Sequence, residues 1–196
     1  MAESFLRRVK RLPTRSLVAP LQVRAEIKRL GQIVRELSPR TFVEIGRFRG
    51  ETMMLLGLRC APDATIVSVD IGNLGRARTA ILKRLFGGGR TVHLLTADSH
   101  SGETLARVSA LTGENTVDLL FIDGDHSYAG VKRDFEMYSP LVRSGGVVAF
   151  HDIAEHPDEA LCEVSRFWKE IKGSFRHQEI IADKQQGWAG IGVLYM

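Results

Sequence analysis

This sequence predicts an α/β fold with a largely parallel sheet and helices on both faces, and three observations carry that expectation. Short apolar runs closed by turn residues alternate with stretches of helical periodicity. The run from Asp118 to Ile122 is apolar after its first residue, as a strand buried on both faces must be, and it stops at Asp123-Gly124-Asp125-His126. Near the end of the chain, two strand-like runs follow one another with no helix between them, which implies a closing antiparallel hairpin.

Taken in order, Phe5 to Leu12 reads as a short amphipathic helix broken at Pro13. A second helix is expected from Leu21 to Leu37, with Val23, Ile27, Leu30, Val34 and Leu37 on one side and Pro39 ending it. Strand Thr41 to Gly46 leads through the loop Arg47-Phe48-Arg49-Gly50 into a helix from Glu51 to about Arg59. Strand Thr65 to Val69 stops at Asp70, and a helix from about Arg76 to Leu85 precedes strand Thr91 to Leu95 and then Asp98-Ser99. After a helix from Glu103 to Leu111 comes the strand ending at Ile122. A helix from about Tyr128 to Leu141 follows, with Val131, Phe135, Tyr138 and Leu141 at helical spacing. Ser144-Gly145-Gly146 is read as the turn into strand Val147 to Phe150, which ends in His151-Asp152. Asp158 to Lys172 is expected to be a helix with Leu161, Val164, Phe167, Trp168 and Ile171 inward. Phe175 to Ile181 and Ile191 to Tyr195 form the hairpin.

With 196 residues and 44% hydrophobic content, the chain suits one domain, residues 1–196, with residues 1–38 as a helical extension. That extension could serve as a lid, a substrate platform or an oligomer contact, and a homo-oligomer is expected. No run reaches membrane-spanning length and no signal-peptide core follows the basic start, so a cytoplasmic protein is expected. Cys60 and Cys162 match no metal or redox motif and read as buried, reduced thiols. The net charge of +4 is uneven: residues 1–30 carry +6 and the remainder −2. The basic head lacks the aromatic interleaving of a nucleic-acid surface, so no nucleic-acid partner is expected. It is either a solvated face or a contact for an anionic partner, including a membrane surface.

The chemistry-bearing residues fall at strand exits. If the strands ending at Ile122 and Phe150 are neighbours, a right-handed crossover brings Asp123 and His151-Asp152 to one sheet edge. Adjacent strands lie about 4.8 Å apart, so these carboxylates could share one cation. Glycines 46 and 50 flank the first strand-to-helix turn, where backbone can approach a ligand, although the pattern is neither a dinucleotide fingerprint nor a P-loop. Asp70 is placed to accept hydrogen bonds from ribose hydroxyls, and Asp98 to reach an adenine amino group.

The segments VEIGRFRG, SVDIG, TADSH, FIDGDHSYAGVKRDFE and SGGVVAFHD, in this order, resemble class I S-adenosylmethionine-dependent methyltransferases. The resemblance covers roughly residues 41–196 and is strongest to the metal-dependent sugar O-methyltransferases of macrolide pathways, with catechol and caffeoyl-CoA O-methyltransferases more distant. It implies a Rossmann-like seven-stranded sheet in order 3-2-1-4-5-7-6, the last strand antiparallel. It also implies that Glu44, Gly46 and Gly50 line the methionine side of the cofactor. Asp70 would then hold the ribose, Asp98 and Ser99 the adenine, and Asp125 would contact the cofactor. A divalent cation, Mg²⁺ first and Mn²⁺ or another transition metal next, would sit on Asp123 and Asp152. His151 stands where such relatives carry a carboxylate, which leaves it either a ligand or a neighbour of the ion.

His126 is expected to be the general base and Asp123 a catalytic metal ligand, because a sugar hydroxyl must lose its proton to attack a sulfonium methyl. The acceptor expected is a small molecule or glycan bearing a sugar hydroxyl, with a catechol-like diol second and non-catalytic cofactor binding third. Trp188 could cover a substrate pocket or shield the core edge, and Arg47 and Arg49 could meet an anionic substrate or simply be solvated. His93, His100, His156 and His177 have no partner visible in sequence.

Overall fold

The computed structural model describes residues 22–157, 161–183 and 185–196. The expected helix from Phe5 to Leu12 and most of the basic head lie outside the described residues. Within them the chain runs α1 (Arg24–Leu37), β1 (Thr41–Ile45), α2 (Glu51–Gly57), β2 (Thr65–Asp70), α3 (Gly75–Leu85), β3 (Thr91–Thr96), α4 (Gly102–Thr112) and β4 (Val117–Ile122). It continues with α5 (Tyr128–Tyr138), β5 (Val142–His151), α6 (Val164–Ile171), β6 (Arg176–Ile180) and β7 (Ile191–Tyr195). The sheet order is β3-β2-β1-β4-β5-β7-β6, as expected. β7 is antiparallel to both its neighbours, and the other observed pairings are parallel.

Alternation along each strand splits the core into two layers. Phe42, Leu119, Phe121, Val147 and Ala149 face Ile27, Leu30 and Val34 of α1, Met53 and Leu56 of α2 and Leu82 of α3. Val43, Leu120, Ile122, Val148 and Phe150 face Val108 of α4, Val131 and Tyr138 of α5, and Val164, Phe167 and Trp168 of α6. Helix α1 is therefore part of the core through its buried face. Among the described residues, no helix is long and apolar enough to cross a membrane.

Three boundaries differ from the expectation. The helix after β4 loses α geometry at Tyr138 and ends in a 3-10 turn over Ser139–Leu141, because Pro140 has no N–H to continue the ladder. Ser144-Gly145-Gly146 is not a turn before the strand but lies within β5. The register there shifts as Val117 pairs with Val142 and Leu119 with Val147, and Gly145 takes φ 78°. Helix α6 starts only at Val164. Leu161, expected inward, is 83% exposed with φ 51°, and residues 158–160 are outside the described set.

Pairing puts the functional strand ends level. Ile45 pairs with Val69 and Ile122, and Ile122 with Phe150, so Gly46, Asp70, Asp123 and His151 each stand one residue past an aligned row. This is the carboxyl edge of the parallel strands, where open α/β sheets bind ligands.

Candidate active site

The edge is closed by backbone. Gly46 N–H donates to Val69 O at 2.9 Å and Asp123 N–H to Ile45 O at 2.8 Å. Gly46 sits at φ 88°, and a Cβ added there would lie 1.9 Å from the Asp123 carbonyl oxygen, so only glycine lets the two strand exits meet. Beside it the Asp70 carboxylate accepts from Phe48 N–H at 2.6 Å and Gly72 N–H at 2.5 Å, which fixes the loop after β1 against the end of β2. Arg47 is buried. Its guanidinium donates to Ser68 O at 3.0 Å, Leu95 O at 3.1 Å and Gly72 O at 2.9 Å. It therefore staples the ends of β2 and β3 and is not a solvated side chain.

Above this edge opens a cleft of about 920 Å³. Gly46, Asp70, Asp98, Ser99, Asp123, Asp125, His126, His151 and Asp152 all line it. Two of the expected site residues are not brought there. Glu44 points into the sheet, fully buried, where Ser68 Oγ donates to its Oε2 at 2.5 Å. Burial pushes its pKa up to about 8, against the lowering effect of that hydrogen bond. Gly50 opens α2 with φ 81° and packs against Leu82, so its role is in the turn. Trp188 does line the cleft, 46% exposed, and so do Phe48 and Ile71.

The deeper end of the cleft is a knot of imidazoles and carboxylates. Asp123 Oδ1 lies 3.3 Å from both His126 Nε2 and His151 Nδ1. Asp152 Oδ2 lies 3.0 Å from His151 Nδ1 and 3.5 Å from His126 Nδ1. The other Asp152 oxygen faces His156 Nε2 at 3.1 Å and accepts Ala189 N–H at 3.1 Å. Asp152 itself holds φ 62°, a left-handed conformation that Asp tolerates better than most residues.

Burial works against charge on Asp123 and Asp152. The imidazoles outweigh it and hold both carboxyls below their usual range. The hydrogen bond to Asp123 lifts His126 to about 10, with the Cys162 thiol beside the ring adding to the rise. Burial alone would lower His151, yet its two carboxylate partners bring it to about 10. These partners favour the protonated ring of His126, which runs against the expectation of a ring that accepts protons near neutral pH.

Asp123 Oδ1, a carboxylate oxygen of Asp152 and a ring nitrogen of His151 lie within 4.8 Å of one another. Two carboxylates and an imidazole at that spacing fit a divalent cation. Sequence reading missed Gln22, whose Nε2 donates to Asp123 Oδ2 at 3.3 Å. It gave His156 no partner, although its spacing of four from Asp152 was a usable signal. It also missed Asp134, fully buried behind the Asp123 turn, where burial raises its carboxyl to about 6 and His100 Nε2 stands 3.3 Å away. Cys162, expected buried, is only half-buried.

A family model described as a methyltransferase domain matches residues 43–153. A mimivirus protein, Uncharacterized protein R132 of Acanthamoeba polyphaga mimivirus, is 28% identical over 120 residues, 59% of this chain and 52% of that protein. Probable caffeoyl-CoA O-methyltransferase 2 of Dictyostelium discoideum is 23% identical over 124 residues, 63% of this chain and 52% of its own length. The chain thus spans about half the length of these curated relatives. Among solved structures, the O-methyltransferase TomG of Streptomyces achromogenes, in complex with SAM, superposes with TM-score 0.65 at 20% identity, covering 96% of this chain and 86% of TomG. An O-methyltransferase of Bacillus cereus, in complex with SAH, gives TM-score 0.67 at 17% identity, covering 98% and 91%. At these identities the superpositions speak for the fold.

Proposed function

The chain belongs to the methyltransferase-domain family, and on that premise we propose that it transfers a methyl group from S-adenosylmethionine to an acceptor hydroxyl. One observation carries the reading. A single cleft joins the nucleoside-facing acids Asp70 and Asp98 to the knot of Asp123, His126, His151 and Asp152. Asp70 meets the ribose, Asp98 and Ser99 meet the adenine, and the sulfonium lies toward Gly46 and Asp123. The acceptor oxygen attacks the methyl carbon, the carbon–sulfur bond breaks with its electron pair going to sulfur, and the hydroxyl proton passes to His126. Gln22 and His151 hold Asp123 in place, while Ala189 and His156 hold Asp152. A divalent cation on Asp123, His151 and Asp152 would acidify the bound hydroxyl and offset the carboxylates that otherwise keep His126 protonated.

The acceptor we favour is a sugar hydroxyl of a glycosylated small molecule, the class that the Phe121–Asp152 segment resembles. A second reading, a catechol-like diol, is favoured by the exposed Phe48 and Trp188 faces at the cleft, which suit a flat ring. Thermal unfolding with S-adenosylhomocysteine tests the cofactor, since a ligand that binds only the native state raises Tm. A shift with NAD and none with S-adenosylhomocysteine overturns the proposal. Methyl transfer to hydroxylated sugars and to catechols then separates the two acceptors.

A further inference from the structure

We propose that His126, Asp152 and Cys162 form a second cation site, suited to a thiolate-binding ion such as Zn²⁺, which shares Asp152 with the cluster described above and takes His126 out of use when filled. The binding claim rests on geometry alone; its inhibitory consequence rests on the reading of His126 as the base. A ring nitrogen of His126, a carboxylate oxygen of Asp152 and the Cys162 sulfur all lie within 4.8 Å of one another. Tetrahedral zinc holds nitrogen and oxygen at about 2.0 Å and sulfur at about 2.3 Å, which puts its ligands some 3.3–3.7 Å apart. The ligand atoms therefore need to close from at most 4.8 Å to that spacing. Glu163 N–H donates to His126 O at 2.8 Å, which anchors the segment carrying Cys162 to the turn carrying His126.

The donors are also oriented. Ala189 N–H and His156 occupy Asp152 Oδ1, while Oδ2 stands between His151 Nδ1 at 3.0 Å and His126 Nδ1 at 3.5 Å. A ligating carboxylate held from behind in this way is the usual outer support of a metal site. Cys162 is half-buried, stands against the His126 ring and forms no disulfide among the described residues. The donor chemistry separates the two clusters. Asp123, His151 and Asp152 offer two carboxylates and suit a hard ion, whereas imidazole, thiolate and one carboxylate are a zinc-like set. Both clusters draw on Asp152, so the two ions should compete for it.

Cobalt titration of the full chain reads the site without any turnover. Co²⁺ should produce an intense near-ultraviolet thiolate-to-cobalt band in the wild type and in Asp123→Asn. The band should vanish in Cys162→Ser while remaining in Cys60→Ser. No band in the wild type, or one that survives Cys162→Ser, overturns the site. In the transfer assay, Zn²⁺ should inhibit the magnesium-supported rate, and Cys162→Ser should raise the half-inhibiting concentration at least tenfold relative to that variant's own zinc-free rate. Equal sensitivity of the two proteins overturns the competition. If no acceptor turns over, the functional reading has failed, and the cobalt band still decides the site.

Discussion

Glu26 accepts the Gly190 N–H at 3.0 Å across 164 residues of sequence, and this contact ties α1 to the loop that carries Trp188. The same buried carboxylate accepts Ala182 N–H at 2.9 Å and Gln186 Nε2 at 2.7 Å, and Gln186 Nε2 also donates to Trp188 O at 2.7 Å. One acid on the first described helix thus holds Ala182, Gln186 and Gly190 of the β6–β7 connection beside the cleft. Just before that helix, Gln22 reaches Asp123. The first described helix, the Trp188 loop and Asp123 are thus joined by hydrogen bonds.

Glu26→Ala should therefore lower folding stability by about 2–4 kcal/mol, because it strands several buried donors at once. Glu26→Gln keeps part of the acceptor capacity and should cost less. Chemical denaturation measures both. In a transfer assay, Glu26→Ala should raise the KM for acceptor more than it changes the KM for cofactor, since Trp188 is at the acceptor side. Equal stability of the alanine variant and wild type would falsify the tether.

A stability effect of pH should come from Glu44. Its pKa is about 8 in the fold against an ordinary 4.5, the direction expected of an acid buried without a full partner. Below pH 4.5 both folded and unfolded chains carry the proton, and the contribution is fully present. As pH rises toward 8 the unfolded chain ionises while the folded one resists, so the contribution is lost through that window and is constant above it. Glu44→Gln cannot ionise. Its Tm relative to wild type should therefore rise between about pH 5 and about pH 8, by an amount equivalent to a few kcal/mol at most. A Tm difference that does not change with pH would mean that Glu44 is already charged in the fold.

How far the sequence foretold this site depends on what kind of signal each residue left. Asp70, Asp98, Asp123, His126, His151 and Asp152 were legible because parallel strands deliver their carboxyl ends to one edge, so a polar residue ending an apolar run announces itself. Glu44 showed the limit of that rule. It lies inside β1, and its alternation turns it into the sheet beside Ser68, one residue short of the edge. Arg47 was left open between an anionic substrate and solvent, because only the folded register supplies its three carbonyls. Gly145-Gly146 misled for a related reason, since glycine marks bulges as readily as turns. Cys162, Gln22 and Glu26 act through long-range contacts, for which a single sequence carries no periodic signal.

The two glycines that best separate close packing from mere conformation are Gly46 and Gly75. Gly46→Ala meets the Asp123 carbonyl oxygen at 1.9 Å, while a Cβ at Gly75, with φ 73°, meets nothing within 4 Å. Gly75→Ala should cost only left-handed strain, about 1–2 kcal/mol. Gly46→Ala must in addition push apart β1 and β4, so it should cost more than about 3 kcal/mol or prevent folding. Unfolding curves of the two variants decide it; similar losses would show that the strand exits are free to separate.

The cation side of the site makes the most demanding prediction, because its obvious test is the wrong one. Asp152→Ala would remove the acceptor for Ala189 N–H, strip His151 of a counter-charge and His156 of its carboxylate partner, and leave alanine at φ 62°. Lost activity in that variant would report damage to the fold as much as loss of an ion. Asp152→Asn keeps a residue that accepts the left-handed backbone and can still receive the Ala189 bond, yet it gives up the negative charge. Asp123→Asn does the same on β4, with Gln22 still able to hold the side chain. Both Asn variants should melt within a few degrees of wild type and bind S-adenosylhomocysteine, because Asp70 and Asp98 are untouched. Each should need about 10–100-fold more Mg²⁺ or Mn²⁺ for methyl transfer. Excess EDTA should stop the wild type, and readdition of the ion should restore it. A wild-type rate undiminished in excess chelator would remove the cation from the reaction and, with it, the proposed means of freeing His126 to accept the proton.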